Sequence, residues 1–436
     1  MIALLTNPMA VAIFIMMVLC LLRFNVFLSI VVAALVGGLM SHMNILETLK
    51  LMIHGMNGNM ETALSYVFLG ILAVAVSRGN LTKILVYKVM LLVQQKKTFF
   101  VLFIAFIACF SQNLIPIHIA FIPILIPPLL SLMNLMKIDR RAVACALAFG
   151  LEAPYICIPV GFGLIYQTIL RDQMLANHIN VSIKDIASVM WIGGLAMLVG
   201  LLVAVFLLYR RPREYEGDCL EEKIKHLKNA KLERSDYFAL CGALLAFGVQ
   251  ILSNSLPLGA FVGVIFLVFS GVIPWKKMDA VVDEGIKSMA FIAFVMLLAS
   301  GFAEVIKAGN GVKDLVEITM GLVGGKFGAI VLMLSAGLLV TLGIGTSFGT
   351  IPVIATFYCP LSLALGFSIP ATILLLGIAG ALGDAGSPAS DTTIGPTMGL
   401  NADGLHDHIR DTCIPTFLVY NTSLLVFGLF GALILC

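Results

Sequence analysis

Apolar residues fill this chain in long runs separated by short polar stretches. Runs stand at Leu5–Leu22, Phe27–Met40, Ala63–Val76, Ala187–Leu208, Leu258–Ile273 and Pro415–Leu435. Several approach the ~20 residues of a spanning helix, and their number excludes a single anchor. In lipid every backbone polar group must be satisfied internally, so such runs predict helices and not a barrel. Leu5–Leu22 follows no basic n-region. It is read as the first span and not as a cleavable signal.

Four polar interruptions break this pattern: Ser111–His118, Leu151–Gly161, Leu342–Thr350 and Gly383–Pro396. The last contains "GDAGSPASDTTIGP", with Asp384 and Asp391, four hydroxyls and two prolines between two apolar runs. Gly and Pro free backbone groups that an unbroken helix would pair. Freed carbonyls, hydroxyls and a carboxylate together form an oxygen cage suited to Na⁺, while half-helix N-termini favour an anionic group.

Charge gives the topology. The richest basic stretch, "RRPREYEGDCLEEKIKHLKNAKLER" (Arg210–Arg234), has eight Lys and Arg and is expected to be cytoplasmic. Counting spans back from it puts "KIDRR" (Lys137–Arg141) inside, and "QQKKT" (Gln94–Thr98) is basic too. The stretch between them must then enter and leave on one face. Its break at Ser111–His118 lies about 12 residues in, roughly 18 Å at helical rise. A re-entrant hairpin fits this depth; two spans with a short turn would satisfy the charges equally.

The halves resemble each other. "AVAVSRGNLTKILV" (Ala73–Val86) aligns with "AEVIKAGNGVKDLV" (Ala303–Val316), Pro123 matches Pro352, and Glu152 faces Asp384 if a short insertion is allowed. Each half then has about five spanning helices, a re-entrant hairpin and a broken helix. An odd number of crossings turns the second half upside down. The expected fold class is thus an all-α polytopic membrane protein of two inverted-topology repeats: residues 1–209, a cytoplasmic linker at 210–236, and residues 237–436. Inverted repeats with broken helices mark secondary transporters, with the site at the repeat interface near the midplane.

Composition agrees. The 436 residues are 60% hydrophobic and 12% charged, with a mean hydropathy of +1.06. Soluble proteins carry about 25% charged residues. A net charge of +3 and the lack of a basic, aromatic-interleaved patch argue against nucleic acid. The nine cysteines are scattered without a C-x-x-C pair and read as packing residues.

A charge at the bilayer centre is costly, so Glu152, Asp384 and Asp391 should line a cavity or exchange a proton. Thr346 and Ser347 in the second hairpin, and Asn113 and His118 in the first, are further candidates to contact an ion or substrate. Asp384, Asp391, Thr392 and Asn113 are the Na⁺ candidates. "GTSFG" (Gly345–Gly349) fits G-x-S-x-G, but that motif acts only on a strand–turn–helix elbow. No Walker loop, H-E-x-x-H or haem motif occurs, so neither an enzyme nor ATP-driven transport is expected, and no cofactor beyond Na⁺ as coupling or transported ion.

The motif Gly383-Asp384-x-x-Ser387-Pro388-x-Ser390-Asp391-Thr392-Thr393, followed by His408-Ile409-Arg410 and Pro415, resembles the C-type sodium/proton antiporter family. This family belongs to the ion transporter superfamily, which also holds the sodium/dicarboxylate symporters. The resemblance implies homodimers, and puts Asp384, Ser387, Ser390, Asp391, Thr392 and Thr393 at the ion and substrate site. It leaves His408 and Arg410 with structural roles at the cytoplasmic end. The symporters' Ser-Asn-Thr hairpin tips appear here only as Ser111-Gln112-Asn113 and Thr346-Ser347. "GLEAPYICIPVGFGLIY" is closer to a branch that includes amino-acid permeases, histidine permeases among them. The expected function is Na⁺/H⁺ antiport by alternating access across the inner membrane, with both termini outside. The alternative is a Na⁺- or H⁺-coupled amino-acid permease using the same site.

Overall fold

The computed structural model describes residues 7–22, 24–77, 97–113, 118–215, 233–253, 255–309, 325–388 and 390–436, and no strand occurs among them. The first half holds α1 (Pro8–Leu21), α2 (Val26–Met40), α3 (Ile45–Gly55), α4 (Met60–Ser77), α5 (Lys97–Asn113), α6 (His118–Leu135), α7 (Arg140–Cys157), α8 (Phe162–Ala176) and α9 (Ile183–Val203), which continues as a π-helical turn to Leu208. The second holds α10 (Arg234–Ser253), α11 (Leu256–Phe269), α12 (Met278–Ala308), α13 (Lys326–Ile344), α14 (Ser347–Ala364), α15 (Ile369–Ala381), α16 (Asp391–Leu400) and α17 (His408–Leu435).

Short polar residues start many of these helices by accepting an otherwise orphaned N–H. Asn44 Oδ1 accepts from Glu47 N at 2.8 Å, and Ser182 and Asp185 cap α9 reciprocally. Among the described residues, Ile183–Leu208, Ser347–Ala364 and His408–Leu435 are long and apolar enough to cross a membrane singly. α7 and α8 meet the same length and composition test only when taken together, and they are bent by 47° at the break Ile158–Gly161.

The repeat is written in the helix starts. Lys97, His118, Arg140 and Phe162 begin α5 to α8, and Lys326, Ser347, Ile369 and Asp391 begin α13 to α16, each 229 residues later (97 to 326 and so on). Earlier, α1 and α2 answer to α10 and α11, while α3 and α4, joined by a 3₁₀ turn at Met56–Asn59, answer to the single 31-residue α12. Counted from those starts, the counterpart of Asp384 is Tyr155, not the Glu152 expected from sequence. Much of the "AVAVSRGNLTKILV" match lies outside the described residues. The halves interlock: α4 packs on α12, α6 on α16, and α14 on α8. Each half's hairpin arm thereby touches the other half's broken helix.

The hairpin arms are longer than the dozen residues expected, 17 in α5 and 19 in α13. A polar residue does not by itself end a helix; a left-handed glycine does, and Gly345 at φ +76° ends α13. α14 is almost wholly enclosed by protein, whereas α9 and α17 expose much of their length. The start of α5 and the end of α6 do share a face. Lys97 and Thr98 line one cavity with Lys137, Asp139, Arg210 and Arg211. At this end Arg140 is fully buried, with Nη1 and Nη2 donating to the two carboxylate oxygens of Asp403 at 2.7 and 2.5 Å. Arg213 donates to Asp411 at 2.7 Å. The described residues of the three basic segments therefore gather at one end.

Candidate functional site

The segment between α15 and α16 is held open by two kinds of residue. Gly383 adopts φ +87°, and a Cβ there would lie 2.7 Å from the Leu338 carbonyl oxygen, so only glycine fits. Asn421 then replaces the missing helical bonds: its Oδ1 accepts from Gly383 N at 2.6 Å and its Nδ2 donates to Ala385 O at 2.7 Å. Ser387 Oγ donates to Leu342 O at 3.0 Å, and Thr393 Oγ1 donates to Ser390 O at 2.9 Å. The break thus leaves few backbone groups orphaned, as the membrane interior demands.

Out of this turn Asp384 projects into a fully enclosed cluster. Its Oδ2 accepts from Ser347 N at 3.1 Å, from Tyr155 OH at 2.9 Å and from Ser347 Oγ; its Oδ1 accepts from Ser390 Oγ. Ser347 is the first residue of α14, so Asp384 caps that helix from another one. Ser390 is the N-cap of α16, accepting from Thr392 N at 3.1 Å, and Thr392 Oγ1 donates to the Asp384 carbonyl at 3.0 Å. Two helix N-termini converge on one buried carboxylate, each adding about half a positive charge. Tyr155 OH also lies 2.8 Å from Ser347 Oγ, and the rings of Tyr155, Tyr166 and Phe348 pack together beside them.

The oxygens of Asp384, Ser347, Ser390, Thr392 and Tyr155 therefore share one buried space. Hydroxyls rotate freely, presenting a proton to the carboxylate or a lone pair to a cation. Such a set can hold a hard, oxygen-seeking ion such as Na⁺ in exchange for the hydrogen bonds it now makes.

Of the residues expected from sequence, Asp384, Ser347, Ser390 and Thr392 come together, and Glu152 is buried close by. Ser387 and Thr393 turn their hydroxyls to backbone carbonyls and brace the turn. Asp391 opens α16, half-buried, and is not among the groups bonded to Asp384. Thr346 precedes α14 as its N-cap residue and accepts through its carbonyl from Thr350 Oγ1 at 3.0 Å. The side chains of Asn113 and His118 lie outside the described residues. His408 ties Thr397 Oγ1, 2.7 Å from Nδ1, to the Pro388 carbonyl, 3.0 Å from Nε2, while Arg410 is exposed. Sequence reasoning missed Tyr155 and Asn421. Each is a single polar group in an apolar run, and only the 229-residue register singles out Tyr155.

Ser347 sits on a helix start and gives its hydroxyl to a carboxylate, which is not a nucleophile elbow. The model of a Na⁺/H⁺ antiporter family matches residues 143–432, and that of another Na⁺-H⁺ antiporter family matches residues 7–93. A membrane protein of Haemophilus influenzae is 42% identical over 454 residues, covering 99% of this chain and 100% of that protein. A Bacillus subtilis protein named "Putative amino acid transporter YuiF" is 44% identical over 450 residues, covering 98% of this chain and 100% of that one. Two solved structures share the fold at low identity. The YdaH transporter of Alcanivorax borkumensis has a TM-score of 0.59 at 15% identity, covering 88% of this chain and 86% of that one. MtrF of Neisseria gonorrhoeae, described within a class of antimetabolite efflux pumps, has a TM-score of 0.57 at 12% identity, covering 88% and 84%. Matched along most of its length and by end-to-end relatives above 40% identity, the chain belongs to the Na⁺/H⁺ antiporter family and is a multi-pass membrane transporter, not an enzyme.

Proposed function

We propose that this transporter exchanges Na⁺ for H⁺ across a bacterial-type inner membrane by alternating access, with Asp384 at the centre of the cation site. The single observation that carries this reading is a buried carboxylate at the meeting of two helix N-termini, ringed by hydroxyl oxygens from both halves. Asp391, at the start of α16, is proposed as a second carboxylate on the ion's path. The functional unit is proposed to be a homodimer. Residues 1–209 and 237–436 would be its oppositely oriented repeats, the linker cytoplasmic and both termini outside.

A second reading is favoured by the name of the Bacillus relative and by the three packed rings beside Asp384. In it a small amino acid, histidine for example, moves with Na⁺ or H⁺ through the same site.

One proteoliposome experiment separates them, comparing pH change driven by a Na⁺ gradient with uptake of a panel of amino acids. We expect Na⁺-driven proton movement in the wild type. Asp384→Asn and Asp391→Asn should each lower it by about a hundredfold, the scale of a lost site charge near 3 kcal/mol, while the protein stays folded in the membrane. Near-normal exchange in both variants would overturn the site. Amino-acid flux without Na⁺/H⁺ exchange would put the second reading first.

A further inference from the structure

Glu152 lies in α7, two residues before Pro154 and one turn before the helix ends at Cys157. It is 0% exposed, and neither of its carboxyl oxygens makes a hydrogen bond. The Ala385 backbone amide stands beside it, outside regular hydrogen-bond geometry. Among the described groups whose charge reaches it is Asp384, and none is a cation. Buried polar groups are almost always paired, so a carboxyl left this way in a transport site needs a reason.

The two acids have opposite surroundings. Asp384 receives four donors, the Ser347 amide and the hydroxyls of Ser347, Tyr155 and Ser390, which suit a charged carboxylate. Glu152 receives none. Two carboxyls sharing a low-dielectric space do not both ionise; one keeps its proton, and it is the one without donors or a counter-charge.

Building on the Na⁺/H⁺ exchange proposed above, we infer that Glu152 is the proton carrier and Asp384 the fixed anion that receives the cation. In the exchange the Glu152 O–H bond breaks, its electron pair stays on the carboxylate oxygen, and the proton leaves to the side on which the site is open. A univalent cation settling among the Asp384 oxygens replaces the lost positive charge, so the net charge of the enclosed space is unchanged. That balance couples one proton to one cation without requiring Asp384 to titrate. It also gives the broken helix of the first half a job different from that of the second.

The test uses the full chain in phosphatidylethanolamine–phosphatidylglycerol vesicles, with three readouts: the infrared C=O stretch of a protonated carboxyl, Na⁺-driven pH change, and exchange of radioactive for ordinary Na⁺. Glu152→Gln imitates the protonated acid but cannot release a proton. It should lose the infrared band and lower proton movement by roughly a hundredfold, the scale of a removed proton-transfer group. Because a permanently neutral side chain leaves the bound cation's charge unbalanced, its Na⁺/Na⁺ exchange should fall as well, and a thermal melt like the wild type's shows that it is folded. Proton movement at the wild-type rate, or a band unchanged by the substitution, would overturn the inference. If Glu152→Gln does not accumulate, Glu152→Asp serves: the pH midpoint of exchange should move, and an unmoved midpoint would overturn the inference. A wild type that moves no Na⁺ would sink the choice of ion, while the infrared band would still report whether Glu152 holds a proton.

Discussion

His406, in the loop between α16 and α17, shows how much one side chain can set outside the membrane. It is 2% exposed; its Nε2 lies 2.7 Å from Thr412 Oγ1 and its Nδ1 has no partner. Burial lowers its pKa from 6.5 to about 4; Arg140 and Arg213 push the same way, and Asp411 and Asp139 oppose them. The folded protein therefore holds this ring neutral, whereas the unfolded chain takes up a proton near pH 6.5. The stabilisation is complete above that pH and is lost as the pH falls toward about 4, amounting to about 3 kcal/mol. Unfolding of the purified protein in detergent should be steeper between pH 6.5 and 4 in the wild type than in His406→Gln. Identical slopes would show that the ring is not kept neutral. The acid and hydroxyl residues of the Asp384 cluster were legible in the sequence because polarity inside an apolar chain stands out. Tyr155, Tyr166 and Asn421 were not, since one phenol or amide barely dents the hydropathy of its run.

At the scale of elements, the broken helices were foreseen from Gly, Pro and hydroxyl content, but not what keeps them broken. The Gly383–Ala385 turn depends on α17, a distant element, through Asn421. Replacing Asn421 with Leu strands one buried N–H and one buried carbonyl, at ~1–3 kcal/mol each. The variant should unfold in detergent at ~2–6 kcal/mol lower stability, as read from denaturant or thermal melts. Stability equal to the wild type would mean that the turn holds without its staple. The length of the hairpin arms escaped sequence reasoning for a related reason. Helical propagation through Ser111–Asn113 is decided by neighbours and not by polarity, and the true stop, Gly345, is marked only by its left-handed backbone.

For the whole molecule, the repeat was visible as a common offset near 230, and the helix starts sharpen it to 229. Apolar sequences align loosely, which is why Glu152 and not Tyr155 was set against Asp384; three-dimensional register has no such slack. Lys97, Lys137, Arg140, Arg211 and Arg213 gather at one end, so the basic residues share a side, and the positive-inside rule makes that side the cytoplasmic one as an expectation. A variant retaining Cys219 as its sole cysteine should react with an impermeant thiol reagent only after the membrane is opened. Labelling in intact cells would reverse the orientation. The stapled gap between α15 and α16 bears on energetics as well. Its backbone is ordered when the chain folds, so an arriving ion has no helix to unwind and loses no affinity to that work. Whatever differential affinity the ion has for the inward- and outward-facing arrangements then acts undiminished on the balance between them.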